Sequence, residues 1–583
     1  MDKTFEILAV RAFNSSRRLY TPTYLGLRLL LKALPNHDAS DWGRRFIARK
    51  LATRKSWRYR RFLGLKEIKS NTDVEYRTFV AGSPTTMLAE TAILQMLSRE
   101  PIFSPHPSAY SYLWPQSEKA GRSHAFYRTG YEQRNRKVTA LLKAHDNDVA
   151  LVVDIRRFYP SVSQERLIPR VETRLDHLKE KTHRDSINSF ITNLLEVSPG
   201  GIPIGPELGH VLGHVALEDV DRYMRQRFGE KYLRYVDDII VVCGRHEVPR
   251  VQKYLQGLLE EEALEFNDDK TDIVASKEWI AHVPYRHVLK DTLDFENLLR
   301  KISVYLMVHP QDIDTLQSMF RGSGFSFPFL RMKTLAHYNR YRAYVLAGLH
   351  YRRHGLPWIV DALTTNAADL LRLALDLRGT MHQELTALRD QPPPRHGMPR
   401  RWYVQKVRYL CNRLLYMIDP SEYGILYDYT LVLDELQEIR AVLTAFRHRD
   451  VTNLLMLPGR TILAFSELWA ETQSGHPAMQ LESTLTEPVI ESLATLSLLR
   501  VIDLPAPLLQ NLPEPTRTFL SYCAGQSSQP SDISKLSFVD ELQTLQIGQS
   551  AEQLYDLVTT RFNDREVVSL GGVLLDDPGY ASG

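Results

Sequence analysis

The sequence has little cysteine, and it lacks long apolar runs. Three cysteines, Cys243, Cys411 and Cys523, are spread through 583 residues and form no C-x-x-C pair. Neither a disulfide framework nor a zinc ribbon is therefore predicted. No uninterrupted apolar stretch reaches the roughly 20 residues that a helix needs to cross a bilayer. The first residues, MDKTFEILAVRAF, lack a basic segment followed by an apolar one. We therefore expect a cytoplasmic protein that has no membrane partner.

Positive and negative charges are distributed unevenly along the chain. The net charge of the whole chain is only +4. Residues 451–583, however, carry 6 lysine and arginine residues against 16 aspartate and glutamate residues, a net charge of −10. Residues 1–450 carry 67 against 53, a net charge of +14. A basic surface attracts polyanions, so we expect the first part of the chain to face nucleic acid.

The densest basic segment is Arg44–Lys69, which holds eleven basic residues and one acidic residue. Residues 1 to about 70 are predicted to be helical and basic. Cations that bind phosphates, beside aromatic rings that stack on bases, are typical of nucleic-acid binding. The same residues would also suit a solvated helix face. The predicted contacts with nucleic acid are Arg54, Lys55, Trp57, Arg58, Arg60 and Arg61.

Strand and helix patterns divide the chain into three parts. Basic helices, followed by a mixture of helix and loops, are predicted over residues 1–148. Residues 149–290 predict a strand, helix, loop, helix, hairpin, helix and strand in that order, which indicates an α+β layer. From 291 to 583 the apolar spacing is mostly helical, which predicts an all-α domain. The prolines near residues 389–401 predict a linker or exposed loop.

The segment KYLRYVDDIIVV places two adjacent carboxylates, Asp237 and Asp238, between two apolar runs. Each run predicts a buried strand, so the two acids lie where a hairpin turns. Asp154 ends another apolar run, VALVVD. Burial of like charges is costly unless a cation neutralises them. Carboxylates from separate segments that converge on two Mg²⁺ ions serve phosphoryl transfer, and these three acids would supply such a set.

Four ordered segments, VVDIRRFYPSV, GGIPIGP, YVDD and LEFNDDKT, resemble motifs A, B, C and D of reverse transcriptases. The resemblance covers residues 75–290, most closely residues 149–274. It implies that Asp154 and Asp237 are the principal catalytic metal ligands, with Asp238 beside them. It also implies a right-hand polymerase fold, whose fingers and palm combine an antiparallel sheet with helices. The implied cofactors are two Mg²⁺ ions, with Mn²⁺ as a substitute, and the implied substrates are deoxynucleoside triphosphates.

Other positions match residues that contact the nucleotide in this family. Tyr159 matches the bulky residue that packs under the sugar and excludes a 2′-hydroxyl, although an aromatic side chain there could equally belong to the core. Gly201 and Gly205 match the loop whose backbone approaches the incoming nucleotide and the template. Lys270 matches the lysine near the leaving pyrophosphate, but an ordinary surface lysine would fit the sequence nearly as well.

The fingers of the family hold the triphosphate with lysine or arginine from a loop ahead of motif A. Here the segment FYRTGYEQRNRKV offers Arg128 and Arg134 among its cations, and the planar fork of arginine suits phosphate. The chain also departs from the family pattern, because Gly200 and Gly209 stand where many members have glutamine and serine. We find neither the Cys/His cluster of an intron-type zinc endonuclease nor the acidic pattern of an RNase H domain.

A palm followed by a long helical part resembles the abortive-infection and defence-associated reverse transcriptases of bacteria. Members of that group are often oligomeric, and several make DNA without an added template or use a protein tyrosine as the primer. The resemblance implies a nucleotidyltransferase that makes DNA in antiphage defence as a homo-oligomer. Two alternatives stay open. One is a retron-like enzyme that copies a dedicated non-coding RNA, and the other is an interaction scaffold whose palm has lost catalysis.

Overall fold

The computed structural model describes most of the chain, which is mixed α/β with two small antiparallel sheets. The described residues are 3–32, 57–70, 73–281, 288–329, 364–526 and 537–546, except 119, 146, 199, 396, 432, 458, 474 and 482–484. In these ranges, no helix combines the length and the apolar character that a membrane span requires.

Two helices and a long hairpin begin the chain. Helices α1 (Lys3–Leu19) and α2 (Thr21–Lys32) are followed by strands β1 (Tyr59–Ser70) and β2 (Asp73–Gly82). The two strands pair antiparallel to form the first sheet. Helix α3 (Pro84–Leu97) follows, and the Ser83 side chain caps its N-terminus by accepting a hydrogen bond from a backbone amide.

The end of the basic segment is a strand rather than a helix, so the helical prediction is wrong for residues 59–70. Phe62 and Leu65 of this strand are buried. Phe62 stacks on Phe79 of β2 with ring centroids 5.6 Å apart. Cross-strand aromatic pairs of this kind stabilise a sheet. Tertiary packing therefore decides the conformation here, and local spacing of apolar residues does not.

The central sheet lies in the middle of the chain. It consists of β3 (Asp148–Asp154), β4 (Tyr232–Tyr235), β5 (Asp238–Gly244) and β6 (Asp272–Ala275), in the spatial order β4-β5-β3-β6. All neighbouring strands in it are antiparallel. The predicted strand ending at Asp154, the predicted hairpin and the predicted short last strand are thereby confirmed.

Strand β3 is buried on both faces. Leu151 and Val153 belong to one hydrophobic core, whereas Ala150 and Val152 belong to another. Successive side chains of a strand point to opposite faces of the sheet. An unbroken apolar run is therefore needed to fill both cores, and Asp154 is the first polar side chain after that run.

Helices surround the central sheet and connect its strands. They are α4 (Tyr127–Ala144), α5 (Phe158–Ser161), α6 (Gln164–Leu175), α7 (Lys181–Glu196), α8 (Leu208–Ala216), α9 (Glu218–Phe228), α10 (Val248–Glu261) and α11 (Ser276–Ala281). The predicted order of elements between β3 and β6 is confirmed, with each helical stretch before the hairpin broken into two helices.

The described residues after α11 are helical or irregular, apart from one isolated bridge between Asp450 and Ala478. Their helices are α12 (Val288–Val308), α13 (Ile313–Gly322), α14 (Ala367–Arg389), α15 (Gly397–Leu414), α16 (Tyr423–Leu431), α17 (Gln437–His448), α18 (Gly459–Thr472), α19 (Glu487–Leu498), α20 (Ala506–Gln510), α21 (Glu514–Cys523) and α22 (Phe538–Gln546). The division of the chain into domains stays a prediction.

The proline-rich stretch near residues 389–401 is only partly a loop. Helix α15 begins at Gly397 and carries Pro399 in its first turn. Proline is tolerated there because the first amide groups of a helix have no intrahelical acceptor. Met398 and Trp402 are buried in a core that they share with the central sheet. The prediction of an exposed linker is therefore wrong for this helical turn.

One large hydrophobic core joins the beginning of the chain to its last described helices. Tyr20 and Phe62 lie in it together with Phe295, Phe519 and Leu542. The hairpin of β1 and β2 thus packs against helices that lie several hundred residues further along the chain. Burial of large apolar side chains at about 25 cal/mol per Å² makes such a contact a major source of stability.

Buried ion pairs reinforce the same junction. Arg60 of β1 donates to Glu491 of α19 at 2.5 Å, and the Tyr20 hydroxyl donates to the other Glu491 oxygen at 2.7 Å. Arg58 pairs with Glu541 of α22 at 2.7 Å. Glu491 is 8% exposed, and its burial raises the pKa of the carboxyl group while Arg60 acts in the opposite direction. Each buried glutamate therefore depends on its arginine partner.

We predict that Arg60→Ala lowers the free energy of unfolding by about 3 kcal/mol, because it leaves the Glu491 carboxylate buried without its cation. The exposed neighbour Arg61 provides the control, and Arg61→Ala should change stability by less than about 0.5 kcal/mol. Urea unfolding followed by circular dichroism measures both. Equal stability losses in the two variants would contradict the importance of the buried pair.

Candidate active site

Three carboxylates meet at one end of the central sheet. Asp154 ends β3 and is the register partner of Asp238, the first residue of β5. Asp237 lies in the turn between β4 and β5, and its carbonyl accepts a hydrogen bond from the Ile155 amide at 3.2 Å. Val236 in the same turn has a φ of 55°, which is a strained conformation for a β-branched residue. The turn is thus held in a conformation that brings the three acids together.

Asp154 is 2% exposed, and its two oxygens differ in their surroundings. Oδ2 accepts a hydrogen bond from Asn267 Nδ2 at 2.8 Å and lies 3.5 Å from Lys270 Nζ. Oδ1 has no hydrogen-bond partner among the described residues. Burial, and after it the charge of Asp238, raises the pKa of Asp154 to about 6. The positive charge of Lys270 acts in the opposite direction but does not cancel this effect.

Asp237 is the most buried of the three acids, with 1% of its surface exposed. Its Oδ2 has no hydrogen-bond partner in the described part of the chain. Burial, followed by the charges of Asp154 and Asp238, raises the pKa of Asp237 well above its ordinary value. Asp238 is more exposed, and its Oδ2 lies 3.9 Å from Nη1 of Arg134. Full ionisation of all three acids therefore requires additional positive charge.

These features fit a divalent cation. Mg²⁺ in proteins is typically held by one or two carboxylates together with water and substrate phosphates. Oδ1 of Asp154 and Oδ2 of Asp237 are buried oxygens with no donor among the described residues. Among the described residues, no group of three or more His, Cys, Asp or Glu side chains, these three acids included, is arranged to hold a metal ion. The case for a cation therefore rests on the two buried oxygens of Asp154 and Asp237.

Tyr159 lies in α5, shortly after β3, and is 6% exposed. Its hydroxyl is hydrogen-bonded to His210 Nδ1 in α8 at 2.7 Å. His210 also stacks on Tyr112, with ring centroids 3.4 Å apart. Burial, and then the charges of His124 and His214, lower the pKa of His210 well below its ordinary value. A neutral imidazole has one acceptor nitrogen, so His210 can fix the orientation of the Tyr159 ring.

The predicted glycine loop, residues 200–206, lies in space between motif A and the first hairpin, although it follows both in the sequence. The Ile202 amide donates to the Tyr159 carbonyl at 2.8 Å, and a Cβ atom on Gly201 would lie 2.6 Å from that carbonyl oxygen. Gly205 has a φ of 126°, and a Cβ atom on it would lie 2.4 Å from the Val80 carbonyl oxygen. Both positions thus require glycine. The loop thus contacts both the first hairpin and the segment that follows the carboxylate end of β3.

The predicted cations do not all reach the carboxylates. Lys270 lies beside Asp154, as described above. Arg134 is fully buried in α4, where its guanidinium lies 4.7 Å from the centroid of the Tyr131 ring and faces Asp238. Three predicted residues lie outside the described part of the chain: Arg54 and Lys55, predicted to contact nucleic acid, and the side chain of Arg128, predicted to contact the nucleotide.

The described side chains of the basic segment mostly have partners within the protein. Trp57 is 8% exposed and packs against Phe190, with ring centroids 4.6 Å apart. Arg58 and Arg60 are paired with glutamates of the late helices. Arg61 is exposed. The structure therefore does not bring this group to the carboxylates, and its contact with nucleic acid stays a prediction.

Sequence reasoning missed three side chains near the carboxylates. Arg77 of β2 is affected by the charges of Asp237 and Asp154, which oppose the lowering of its pKa by burial. Asn267 donates to Asp154, and Arg401 of α15 lowers the pKa of the same carboxyl group. Asn267 lies inside the quoted motif D, where its position could have been noticed. Arg77 and Arg401 lie in segments whose local pattern gives no signal for them.

Comparison with known families assigns the part of the chain that carries these carboxylates. Residues 102–294 match the family model described as reverse transcriptase (RNA-dependent DNA polymerase). This part of the chain is therefore a reverse transcriptase domain, and the enzyme is a nucleotidyltransferase. Such domains synthesise DNA on RNA, bind nucleic acid and generally use divalent metal ions. No curated protein matches the chain.

We predict that Asp154→Asn stabilises the protein at pH 8 in EDTA, by on the order of 2 kcal/mol. The folded-state pKa of about 6 exceeds the ordinary value of 3.8. The stability that this group contributes is therefore complete below about pH 4 and is lost as the pH rises through 6. The gain from the substitution should accordingly be smaller at pH 5 than at pH 8.

Thermal unfolding at both pH values measures this difference. Added Mg²⁺ should raise the midpoint of the wild-type protein and leave that of the variant nearly unchanged. A variant that is less stable than the wild type at pH 8 would contradict the cost of ionising Asp154, and equal stabilisation of both proteins by Mg²⁺ would contradict cation binding at this carboxylate.

Proposed function

We propose that the protein is a magnesium-dependent DNA polymerase in which Asp154, Asp237 and Asp238 hold two divalent ions. The observation that supports this proposal best is the pair of buried carboxylate oxygens, on Asp154 and Asp237, with no donor among the described residues. They belong to a domain that matches reverse transcriptases. A protein that did not bind cations would have little reason to bury these charges.

The proposed reaction extends a primer by one deoxynucleotide. The oxygen of the primer 3′-hydroxyl attacks the α-phosphorus, a new phosphorus–oxygen bond forms, and the hydroxyl proton passes to solvent. The bond between the α-phosphorus and the bridging oxygen breaks, and pyrophosphate leaves. When bound, divalent ions supply positive charge for the attacking and leaving oxygens. The carboxylates place that charge, and Lys270 beside Asp154 stabilises the negative charge of the pyrophosphate.

Arg77 is our preferred candidate for contact with the triphosphate. It lies on the first hairpin, whose Val80 amide donates to the Ile204 carbonyl of the glycine loop at 2.8 Å. Burial lowers the pKa of Arg77, and the charges of Asp237 and Asp154 oppose that effect. Arginine binds phosphate oxygens through its planar fork. Arg134 is packed between aromatic rings, so its proposed role is to support Asp238. Gly201 and Gly205 let their loop pass close to the backbone at Tyr159 and Val80, and contact of this loop with the nucleotide and template is part of the same proposal.

We further propose that the polymerase acts in antiphage defence in the cytoplasm, as a homo-oligomer. This proposal depends on the resemblance of the architecture, a palm followed by many helices, to defence-associated reverse transcriptases. Synthesis without an added template, and priming from a protein tyrosine, belong to the same proposal. The late helices would then hold subunits, a primer or an RNA.

Templated synthesis on a dedicated non-coding RNA is the second candidate. The observation that favours it is the net charge of +14 on residues 1–450, because a basic surface binds RNA phosphates. The two candidates differ in what is purified with the protein. RNA of one defined sequence would support templated copying, whereas DNA attached covalently to a tyrosine would support protein priming.

We predict that Asp237→Asn lowers the rate of dNTP incorporation by on the order of 10³-fold, because it removes a charged ligand of the metal ions. The control is Asp176→Asn, which alters an exposed carboxylate paired with Arg184 in the same domain. It should incorporate labelled dNTP at the wild-type rate. The same two variants can be compared for protection of cells against phage.

Comparable incorporation by Asp237→Asn and the wild type would exclude the proposed site. Full phage protection by an Asp237→Asn protein that no longer incorporates dNTP would separate defence from polymerisation. That result would favour the catalytically silent scaffold.

We predict that Tyr159→Val raises the ratio of ribonucleotide to deoxynucleotide incorporation by about tenfold or more, because the smaller side chain leaves room for a 2′-hydroxyl. Tyr159→Phe retains the ring and loses only the hydrogen bond to His210, so its ratio should stay near that of the wild type. Single-nucleotide extension assays with each substrate measure the ratio, which does not depend on the active fraction. An unchanged ratio in Tyr159→Val would mean that Tyr159 is only a core residue.

A further inference from the structure

Helix α15 comes from a part of the chain beyond the matched reverse transcriptase domain, yet its first turns lie beside the carboxylate site. The Met398 amide donates to Asp272 Oδ2 in β6 at 3.0 Å. Trp402 packs edge-on against Trp279 of α11, with ring centroids 5.0 Å apart. A Cβ atom on Gly397 would lie 2.5 Å from the same Asp272 oxygen. The beginning of α15 is therefore fixed closely against the edge of the central sheet.

Arg401 lies between these anchors and reaches the motif D turn. Its Nη2 donates to the Lys270 carbonyl at 3.2 Å. The Lys270 ammonium lies 3.5 Å from Asp154 Oδ2. The turn itself is held by hydrogen bonds from the Lys270 and Thr271 amides to the Asn267 carbonyl. A continuous chain of contacts thus leads from α15 to the carboxylate at the end of β3.

We propose that Arg401 is a positioning residue of the polymerase, and that it acts by holding the turn that carries Lys270. This inference rests on the proposed function, in which Lys270 stabilises the leaving pyrophosphate. Lysine has a long, flexible side chain, so the direction of its ammonium group depends on a fixed backbone. Loss of about 1 Å of precision at a reacting group is enough to slow catalysis strongly.

Two other roles for Arg401 have to be separated from this one. Arg401 could act only as part of the docking of α15, or it could act only through its charge on Asp154. Its neighbour Arg400, on the same helix, supplies a control for docking, because it pairs at 2.7 Å with Glu435, which lies outside that helix. Lys270→Ala tests whether Arg401 acts on Asp154 through its own charge. If Arg401 acts by positioning Lys270, its removal has no effect once the Lys270 ammonium group is absent.

The experiment uses the full chain, labelled dNTP and Mg²⁺ in single-nucleotide extension. Arg401→Ala should lower the maximal rate of incorporation about tenfold, since a hydrogen bond from a charged donor is lost. The dNTP concentration that gives half the maximal rate should change less than about twofold, since the effect falls on the leaving group. Arg400→Ala should retain the wild-type rate. In a Lys270→Ala background, Arg401→Ala should lower the rate by less than about twofold.

Hydrogen exchange supplies a second readout that needs no activity. Arg401→Ala should speed exchange of the Lys270 and Thr271 amides, while Arg400→Ala should not. The proposal is overturned if exchange in this turn is unchanged, if Arg400→Ala slows incorporation as much as Arg401→Ala, or if the Arg401 effect persists without Lys270. A wild-type protein that incorporates no dNTP would refute the proposed function, and faster exchange in Arg401→Ala would still establish that Arg401 holds the turn.

Discussion

The crowding of two buried carboxylates, Asp154 and Asp237, against a third, Asp238, is the constraint on which the site depends. Asp154 and Asp237 are almost completely buried, and burial raises the pKa of both carboxyl groups; the charge of Asp238 raises both further, and the charge of Asp154 raises that of Asp237. The surrounding fold has to hold them together against this cost. It does so with a long apolar strand, a strained hairpin turn and hydrogen bonds to one side of Asp154. Oδ1 of Asp154 and Oδ2 of Asp237 have no hydrogen-bond donor among the described residues, which leaves them free to bind a cation.

A second feature is that basic residues of the first hairpin form ion pairs with acidic residues of the late helices. The uneven distribution of charge in the sequence suggests a basic part that faces polyanions. The structure uses some of that charge internally, because Arg58 and Arg60 are paired with Glu541 and Glu491 of the acidic late segment. The net charge of a segment therefore overstates the basic surface available to nucleic acid. The exposed Arg61 belongs to what remains.

The carboxylates could be predicted because each lies at a local signal, a strand end or a hairpin turn, within a few residues of sequence. The same holds for Gly205, whose positive φ belongs to a short loop. The strand at residues 59–70 could not be predicted, because much of the core around it, beyond its pairing with β2, comes from residues after 290. Arg401 was placed in a presumed linker for the same reason. Contacts between distant segments leave no periodic pattern in either segment.

The shared core of the first hairpin and the last described helices also has a consequence for synthesis of the protein. Phe62 and Leu65 belong to a core that is completed by partners from the late helices, among them Phe519 and Leu542. A ribosome releases those partners several hundred residues after the hairpin. During that interval the hairpin lacks this apolar cover, which is the condition under which incomplete chains aggregate.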